Sequence, residues 1–373
     1  MKHLVPDLPS ADELLPWLRR IDAQRWYTNY GPLALELERE LLGLAGGEGV
    51  ALTTLATGYH ALEFGLRVLD LPPGGHVLMP AVTFPACPLA AIHAGLMPVL
   101  ADIDSASWIL TPEIARNIAE KNAIAAVMPV AVYGVPVDAK AWDDFTHETG
   151  IPVLIDAAAA LGAQEIPQYG LVAYSLHATK PFGIGEGGAL AGRDAERIAR
   201  ARELSGFGCR ERITHSFGSN GKLSEYHAAV GLAQIARWPG IKARRAALLE
   251  QYRAALAPLP VRFQPGIENA VVSLLMVEGE GIDAPRLMWD LPKRGIAVHQ
   301  TYLPPLYRHP AFTRYAVASA HGEVSVADDV IDAKAALCRN AEYMTWHVIG
   351  LPFHPFMEPE DIAMVAEALA KPL

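Results

Sequence analysis

From residue 50 onward, short runs of consecutive apolar residues alternate with segments in which apolar residues recur at the helical period. Consecutive apolar positions are typical of strands buried on both faces, and the helical period predicts helices between them. Strands are predicted near residues 50–54, 76–80, 98–102, 123–129, 151–155, 170–176 and 187–192. Helices are predicted near residues 59–69, 85–94, 111–120, 139–148 and 194–205. The alternation indicates an α/β fold with a mostly parallel central sheet, covered by helices on both faces.

The two ends of the chain follow other patterns. Ser10 and Glu13 have the spacing of a capping box, which predicts a helix from about that point, and Pro32 suits the first position of a second helix. From about residue 237, a charged helical segment over 242–256 leads into a proline-punctuated region. We therefore expect three parts: an N-terminal helical segment over 1–24 that packs on the small domain, a large domain over 25–240, and a smaller C-terminal α+β domain over 241–373.

Composition and charge narrow the classes of function. The 373 residues are 51% hydrophobic and 19% charged, which suffices for a large core divided between domains. The formal net charge of -10 would repel phosphate backbones and anionic lipid surfaces, so we expect no nucleic acid and no membrane as partner. The apolar stretch 77–101 is broken by prolines, and it predicts two buried strands joined by a loop and a helix rather than a membrane span.

The cysteines bear on location and on metals. Cys87, Cys209 and Cys338 are far apart and lack the spacing of a metal site, so we expect no metal. Unpaired cysteines fit a reducing compartment, and the first residues lack the apolar core of a signal peptide. We therefore expect a cytoplasmic protein.

The segment 175–188 contains one lysine, Lys180, followed by glycines at positions 183, 185, 187 and 188. Glycine-rich backbone lets a ligand approach the main chain closely. A lysine in a partly apolar setting has a lowered pKa and becomes a usable amine nucleophile, which can form a Schiff base with a carbonyl group. The alternative interpretation is a surface lysine beside a flexible turn.

Three further features fall where predicted strands end, which is the edge at which such sheets bind ligands. Thr57, Gly58 and Tyr59 precede a predicted helix, whose free N–H groups would suit a phosphate, although an ordinary strand-to-helix turn has the same pattern. Asp156 closes an apolar run and would need a partner if buried; it would pair with a protonated pyridine nitrogen or cap the next segment. Phe84 would stack on a flat ring or lie in the core.

In this order the features resemble the large domain of fold type I enzymes that use pyridoxal 5'-phosphate (PLP). Within that group the sequence resembles the DegT/StrS-like family of sugar aminotransferases along nearly the whole chain. The lysine loop and the segment from 218 to 229 carry the most specific part of the likeness. The matching segments are TNYGP, MPAVTFPA, PVLADID, PVAVYGVPVD, LIDAAAALGA, YSLHATKPFGIGEGGAL, GSNGKLSEYHAAVGLAQI and LPFHPFMEPEDI.

The resemblance implies a role for each of these residues. Lys180 would hold PLP as a Schiff base and later move a proton, while Asp156 would hold the pyridine nitrogen. Phe84 would stack on one face of the ring, and Ala158 would pack on the other. Ser175 and the backbone of Gly58 and Tyr59 would bind the phosphate, with the Thr57 side chain as a further contact. Asn220 would reach the phosphate site of the neighbouring subunit.

The resemblance also implies an activity and partners. An amino acid donor, glutamate or glutamine, would supply an amino group for a keto group of a sugar or sugar nucleotide, in cell-surface polysaccharide or secondary-metabolite biosynthesis. The sites would be shared across a homodimer. The alternatives are another fold type I PLP enzyme, such as a lyase, a dehydratase or a transaminase of a non-sugar ketone, and a non-catalytic regulatory protein. Related sugar dehydratases replace the lysine with histidine, and the chain keeps Lys180.

The sequence departs from the family pattern at three positions. Tyr59 stands where a small hydroxyl residue is usual, Ala159 where His or Gln is usual, and Lys222 where arginine is usual. The first two changes remove polar contacts expected near the phosphate and near the cofactor's ring hydroxyl. They indicate a divergent member of the family.

Overall fold

The structure, a computed structural model, describes residues 1–279, 281–325 and 330–370. The strands are β1 (Ala51–Leu55), β2 (His76–Pro80), β3 (Met97–Ala101), β4 (Ala126–Val127), β5 (Leu154–Asp156), β6 (Leu171–Ser175), β7 (Gly188–Gly192), β8 (Cys209–Arg210), β9 (Ile213–Thr214), β10 (Val261–Phe263), β11 (Leu275–Gly279), β12 (Ala316–Ala318) and β13 (Val348–Leu351). The helices are α1 (Ala11–Gln24), α2 (Pro32–Leu44), α3 (Gly58–Arg67), α4 (Ala86–His93), α5 (Pro112–Ala119), α6 (Ala139–Thr149), α7 (Ala195–Ser205), α8 (Glu225–Leu256), α9 (Ala284–Asp290), α10 (Ile331–Leu337), α11 (Arg339–His347) and α12 (Pro359–Ala370).

The central sheet combines two four-stranded ladders, of order β1-β7-β6-β5 and β4-β2-β3-β12. Parallel bridges from Val127 to Val153 and from Val130 to Asp156 join the ladders between β4 and β5. Only β7 runs antiparallel to its neighbours within these two ladders. The prediction of a mostly parallel central sheet is therefore confirmed.

Helices cover both faces of this sheet because its strands are apolar on both sides. Along β2, Leu78 joins one buried cluster, while Val77 and Met79 join a second cluster on the other face. The first cluster takes residues from α2, α5, α6 and α8, and the second takes residues from α3, α4 and α7. Side chains that alternate between two cores explain the run of consecutive apolar residues in the sequence.

The C-terminal region builds a smaller layer around the antiparallel ladder β10-β11-β13, which has its own buried cluster. Two features differ from the sequence prediction. The helix predicted over 242–256 begins at Glu225 and continues through Pro239, so the expected boundary at residue 240 lies inside α8. In addition, β12 leaves the C-terminal region and pairs with β3 as the last strand of the central sheet.

The N-terminal segment contacts both parts of the molecule. The amino group of Met1 donates to the carbonyl of Gly295 at 2.6 Å, and Phe353 N–H donates to His3 at 2.9 Å. Ile21 of α1, in contrast, is buried in a cluster of the central sheet. The segment therefore packs on more than the small domain.

The described part of the chain contains no helix that combines the length and apolar character needed to cross a membrane.

Candidate active site

The candidate active site lies at the carboxyl ends of the central strands, where the register brings distant residues together. Ser175 at the end of β6 pairs with Gly188, and Gly188 pairs with Leu55 at the end of β1. Asp156 ends β5 and pairs with Ala173, two residues before the end of β6. Because β1, β5 and β6 point the same way, their ends and the loops that follow them meet at one edge.

The start of α3 forms a cradle against the end of β6. The Thr57 hydroxyl caps the helix by accepting from His60 N–H at 3.2 Å. Gly58 lies so close to β6 that an added Cβ would come within 2.7 Å of the Ser175 Cβ. The first N–H groups of a helix have no acceptor within that helix, and here they lie beside the Ser175 hydroxyl. This is a suitable environment for a phosphate.

Two side chains of this turn are engaged elsewhere. The Tyr59 hydroxyl lies 2.5 Å from His93 Nδ1, so Tyr59 would reach a phosphate only through its backbone. The Thr57 hydroxyl, besides capping α3, lies 2.8 Å from Nδ1 of His60. Phosphate binding here would therefore depend on the backbone and on Ser175.

Asp156 is 5% exposed, and both of its carboxylate oxygens accept hydrogen bonds. Ala158 N–H donates to Oδ1 at 2.9 Å, and the Cys87 thiol donates to Oδ2 at 3.0 Å. Burial raises the pKa of Asp156, while these two bonds and the charge of Lys180 act to lower it. Residues 157–163 form turns and no helix begins there. Asp156 therefore caps the turn that follows β5, through the bond from Ala158 N–H, and caps no helix.

Lys180 lies in the loop after β6, where its N–H donates to the carbonyl of His177 at 2.9 Å. The residue is half-buried. Burial lowers the pKa of its amine, and the Asp156 carboxylate partly opposes this shift. A lowered pKa increases the fraction of free amine near neutral pH, as a nucleophile or a proton acceptor requires. This environment differs from that of a solvated surface lysine.

Two residues lie near Asp156. Ala158 is two positions further along the chain, and Phe84 is connected to Asp156 through the start of α4. Phe84 directly precedes the turn that opens α4, and Cys87 in the first turn of that helix bonds Asp156. The Phe84 side chain is 59% exposed, so its ring is available to a ligand. Ala158 is half-buried and adds only a methyl group. An exposed aromatic face and a small residue near one carboxylate suit a flat ring.

Two tyrosines add to the site: Tyr133, which sequence reasoning missed, and Tyr302, which only the likeness of its region to family loops suggested. The rings of Tyr133 and Tyr302 stack at 5.4 Å with an interplanar angle of 12°, and Phe84 meets Tyr302 edge-on at 6.2 Å. Both tyrosines adopt left-handed backbone angles, with φ of 59° and 71°, which is uncommon away from glycine. Burial and the nearby Asp156 charge raise the pKa of Tyr302, so its hydroxyl stays neutral.

The likeness of residues 302–309 to family loops suggests Tyr302, Arg308 and His309 as residues that would contact the acceptor, and the structure leaves them available to different degrees. Tyr302 joins the aromatic group beside Phe84. Arg308 is paired with Glu342 through bonds of 2.6 and 2.9 Å, and His309 lies 3.1 Å from the carbonyl of Pro304. Of the three, Tyr302 is the one that the structure brings to the site.

Asn220 is exposed, and its side-chain oxygen accepts from Lys222 at 2.6 Å. The neighbouring Gly221 carbonyl accepts from Ala56 N–H at 2.7 Å, which holds this segment near the start of α3. The reach of Asn220 into a neighbouring subunit stays a prediction, as do the cofactor contacts of the other predicted residues.

The residues present fit PLP. The cradle at Gly58 and Ser175 suits its phosphate, Asp156 suits its protonated ring nitrogen, Phe84 suits its flat ring, and Lys180 offers an amine to its aldehyde. Together with the sheet, this arrangement defines the class of fold type I PLP-dependent transferases.

Comparison with known proteins agrees with this class. Residues 10–370 match the model of the DegT/DnrJ/EryC1/StrS aminotransferase family. The chain is similar to the Mycobacterium tuberculosis protein named Rv3402c, at 32% identity over 98% of this chain and 88% of the relative. It is 28% identical to the dTDP-4-amino-4,6-dideoxy-D-glucose transaminase of Escherichia coli over 88% of this chain and 90% of the relative.

A solved structure extends the likeness to the fold. DesI, crystallised in the presence of its TDP-sugar product, superposes with a TM-score of 0.82 at 28% identity, covering 99% of this chain and 92% of DesI. The chain therefore belongs to the DegT/DnrJ/EryC1/StrS aminotransferase family. The predictions of the family, the fold class, aminotransferase activity and PLP as cofactor are confirmed.

The position of Lys180 leads to a first prediction. Borohydride reduction of the PLP-loaded protein should attach the cofactor covalently to Lys180, as read by peptide mass spectrometry. Lys180→Ala should end turnover without loss of fold, because the side chain is half-buried and no packing core depends on it. The matched control is Lys222→Ala, since burial also lowers the pKa of Lys222. A reduced adduct on Lys222 would contradict the assignment.

A second prediction concerns Asp156→Asn. An amide cannot keep the ring nitrogen protonated as a carboxylate does. The lost contact between Asp156 and the ring nitrogen therefore destabilises the transition state, in which negative charge develops, more than the ground state. We expect kcat to fall about a hundred- to a thousand-fold, with PLP still attached through Lys180 and little change in melting temperature. Single-turnover kinetics, absorbance and thermal unfolding measure the three quantities. An unchanged rate would mean that the cofactor lies elsewhere in the sheet.

Proposed function

We propose that this protein transfers an amino group from an amino acid, glutamate or glutamine, to the keto group of a nucleotide-linked sugar. The observation that carries the proposal is the buried Asp156 carboxylate near the Lys180 amine, beside an anion cradle at the end of β6. The relatives named for sugar-nucleotide chemistry support this substrate class. The product would enter the biosynthesis of a cell-surface polysaccharide or a secondary metabolite.

Each residue has a defined task in this reaction. PLP, when bound, supplies an aldehyde that combines with amines and a pyridine ring that withdraws electrons from the reacting carbon. Asp156 holds the ring nitrogen in its protonated form. The Lys180 amine, with its lowered pKa, would accept the proton of the substrate carbon and hold it for return during the reaction. Ser175 and the α3 N-terminus hold the phosphate and fix the position of the ring.

Two of the three departures from the family pattern, Ala159 and Tyr59, fall beside this site. Ala159 is 8% exposed, and its carbonyl lies 3.0 Å from the position that a Cβ on Gly134 would occupy. A methyl group at this position gives no hydrogen bond to a ring hydroxyl. Tyr59 turns its hydroxyl to His93, away from the cradle. Both changes leave Lys180 and Asp156 intact, and so the proposed reaction is unaffected.

We also propose a homodimer with shared active sites. The short hairpin β8–β9 and the residues around it present large apolar side chains to solvent: Phe207 at 52%, Ile213 at 62% and Phe217 at 92% exposure. Exposed apolar groups this close together favour an interface. Asn220 lies in the strand-like segment that pairs with Gly206 at the base of this hairpin. If a second copy of the chain covered the hairpin, the Asn220 side chain would lie next to the surface of that second copy.

An amine-transfer screen tests the function. Purified protein with PLP is given glutamate or glutamine and, in turn, keto-sugar nucleotides, free keto sugars and simpler ketones, and amine formation is measured by mass spectrometry. We expect turnover with a keto-sugar nucleotide, and none with Lys180→Ala as the matched control. Turnover of simple ketones alone would favour a transaminase of another class. Loss of water without amine transfer would favour a dehydratase.

A hybrid-dimer experiment tests shared sites. Asn220→Asp keeps the side-chain size but places a negative charge toward the phosphate, so this variant and Lys180→Ala should each be inactive. In a hybrid of the two chains, one site would combine an intact Lys180 with an intact Asn220. Co-expression should therefore restore about a quarter of wild-type activity if the chains pair at random. A monomer by light scattering that retains activity would contradict the proposal.

A further inference from the structure

A buried chain of polar side chains leads from the start of α4 to the carboxylate of Asp156. The Thr83 hydroxyl lies 3.1 Å from the sulfur of Cys87, and the Cys87 thiol donates to Asp156 Oδ2 at 3.0 Å. Thr83 and Cys87 are fully buried, and Asp156 is 5% exposed. Since the thiol proton points to the carboxylate, the Thr83 hydroxyl is free to donate to the sulfur.

The fold places this thiol together with the aromatic ring of the site. Cys87 N–H donates to the Phe84 carbonyl at 3.2 Å, which closes the turn that opens α4. The turn that presents Phe84 therefore also directs Cys87 inward. Buried cysteine ordinarily acts as a small apolar residue. Here it meets a carboxylate, an interaction that packing alone does not require.

The electrostatic setting makes Cys87 a permanent donor. Burial and the neighbouring Asp156 charge raise the pKa of the thiol well above its ordinary value, so it stays protonated at physiological pH. Asp156 has a second donor in Ala158 N–H and an opposite charge in Lys180, and its own charge acts on the neutral Tyr302 hydroxyl. Hydrogen bonds to the ionised form of a carboxyl favour that form against burial.

We propose that Cys87 is a positioning residue for the reaction: its thiol, supported by Thr83, fixes the orientation of the Asp156 carboxylate and keeps it ionised toward the cofactor's ring nitrogen. The proposal rests on the role given to Asp156 under the proposed function. A carboxylate that is less basic leaves the shared proton on the ring nitrogen, and this increases the electron-withdrawing strength of the ring. The thiol acts through Asp156 and needs no contact with substrate.

The test compares Cys87→Ala with Cys87→Ser in the PLP-loaded protein. Removing the donor should lower kcat about five- to tenfold with little change in KM, because a thiol is a weak donor and the bond goes to a charged group. Without the donor the pKa of Asp156 rises, so the acidic limb of the kcat profile should move to higher pH. The serine variant keeps a donor, and both kcat and the pH profile should stay close to the wild-type values.

Cys338→Ala is the matched control. Cys338 is also fully buried, and its thiol lies 3.7 Å from the carbonyl of Ala318, away from Asp156. This variant creates a cavity of the same size and should lower the melting temperature by a similar amount. Its pH profile should not move. A shift common to both alanine variants would mark a general packing effect and would overturn the proposal.

A readout without cofactor completes the test. In the apoprotein, the infrared S–H band assigned to Cys87 by difference from Cys87→Ala should lie at lower frequency than that of Cys338, and Asp156→Asn should shift it. A Cys87 band that does not respond to Asp156→Asn would refute the hydrogen bond. If the band responds but Asp156→Asn leaves turnover unchanged, the proposed function of Asp156 fails and the contact itself stands.

Discussion

The structure depends on one electrostatic constraint, the burial of the Asp156 carboxylate near the Lys180 amine at the end of a parallel sheet. Burial disfavours the charged form of each group, while the opposite charge of the other group favours it. A carboxylate without donors would be costly at 5% exposure. The N–H of Ala158 and the thiol of Cys87 reduce that cost by donating hydrogen bonds to the carboxylate. A ligand that carries its own charge can still change the ionisation of Asp156 and Lys180.

The register of the sheet turns this local pair into a site. One row across three strands contains Leu55, Gly188 and Ser175. Because of this register, the cradle at the start of α3 and the lysine loop lie next to each other. Glycine is required where these elements touch. A Cβ on Gly188 would lie 2.3 Å from the Thr57 carbonyl oxygen, closer than any side chain permits. The glycine-rich loop therefore serves packing of the site as well as approach of a ligand.

Much of this arrangement was predictable from the sequence because it depends on local signals. Runs of apolar residues predicted the strands, and positions just past strand ends predicted Asp156 and Lys180, whereas Ser175 came only from the family resemblance. The charged segment over 242–256 suggested a helix start near residue 242, but tertiary packing carried α8 through that position from Glu225. Cys87 could not be found in this way, since a lone cysteine in an apolar segment has the pattern of core. Its role depends on a contact between residues far apart in sequence.

The course of the chain between its two cores has a further consequence. The helix α8 extends from the central sheet into the C-terminal layer, and β12 later returns to close the far edge of the same sheet. Between them lies Tyr302, stacked on Tyr133 of the large core. The two parts are thus connected both by α8 and by the return of β12 to the central sheet. We therefore expect ligand binding at the site to change the cooperativity with which the whole molecule unfolds.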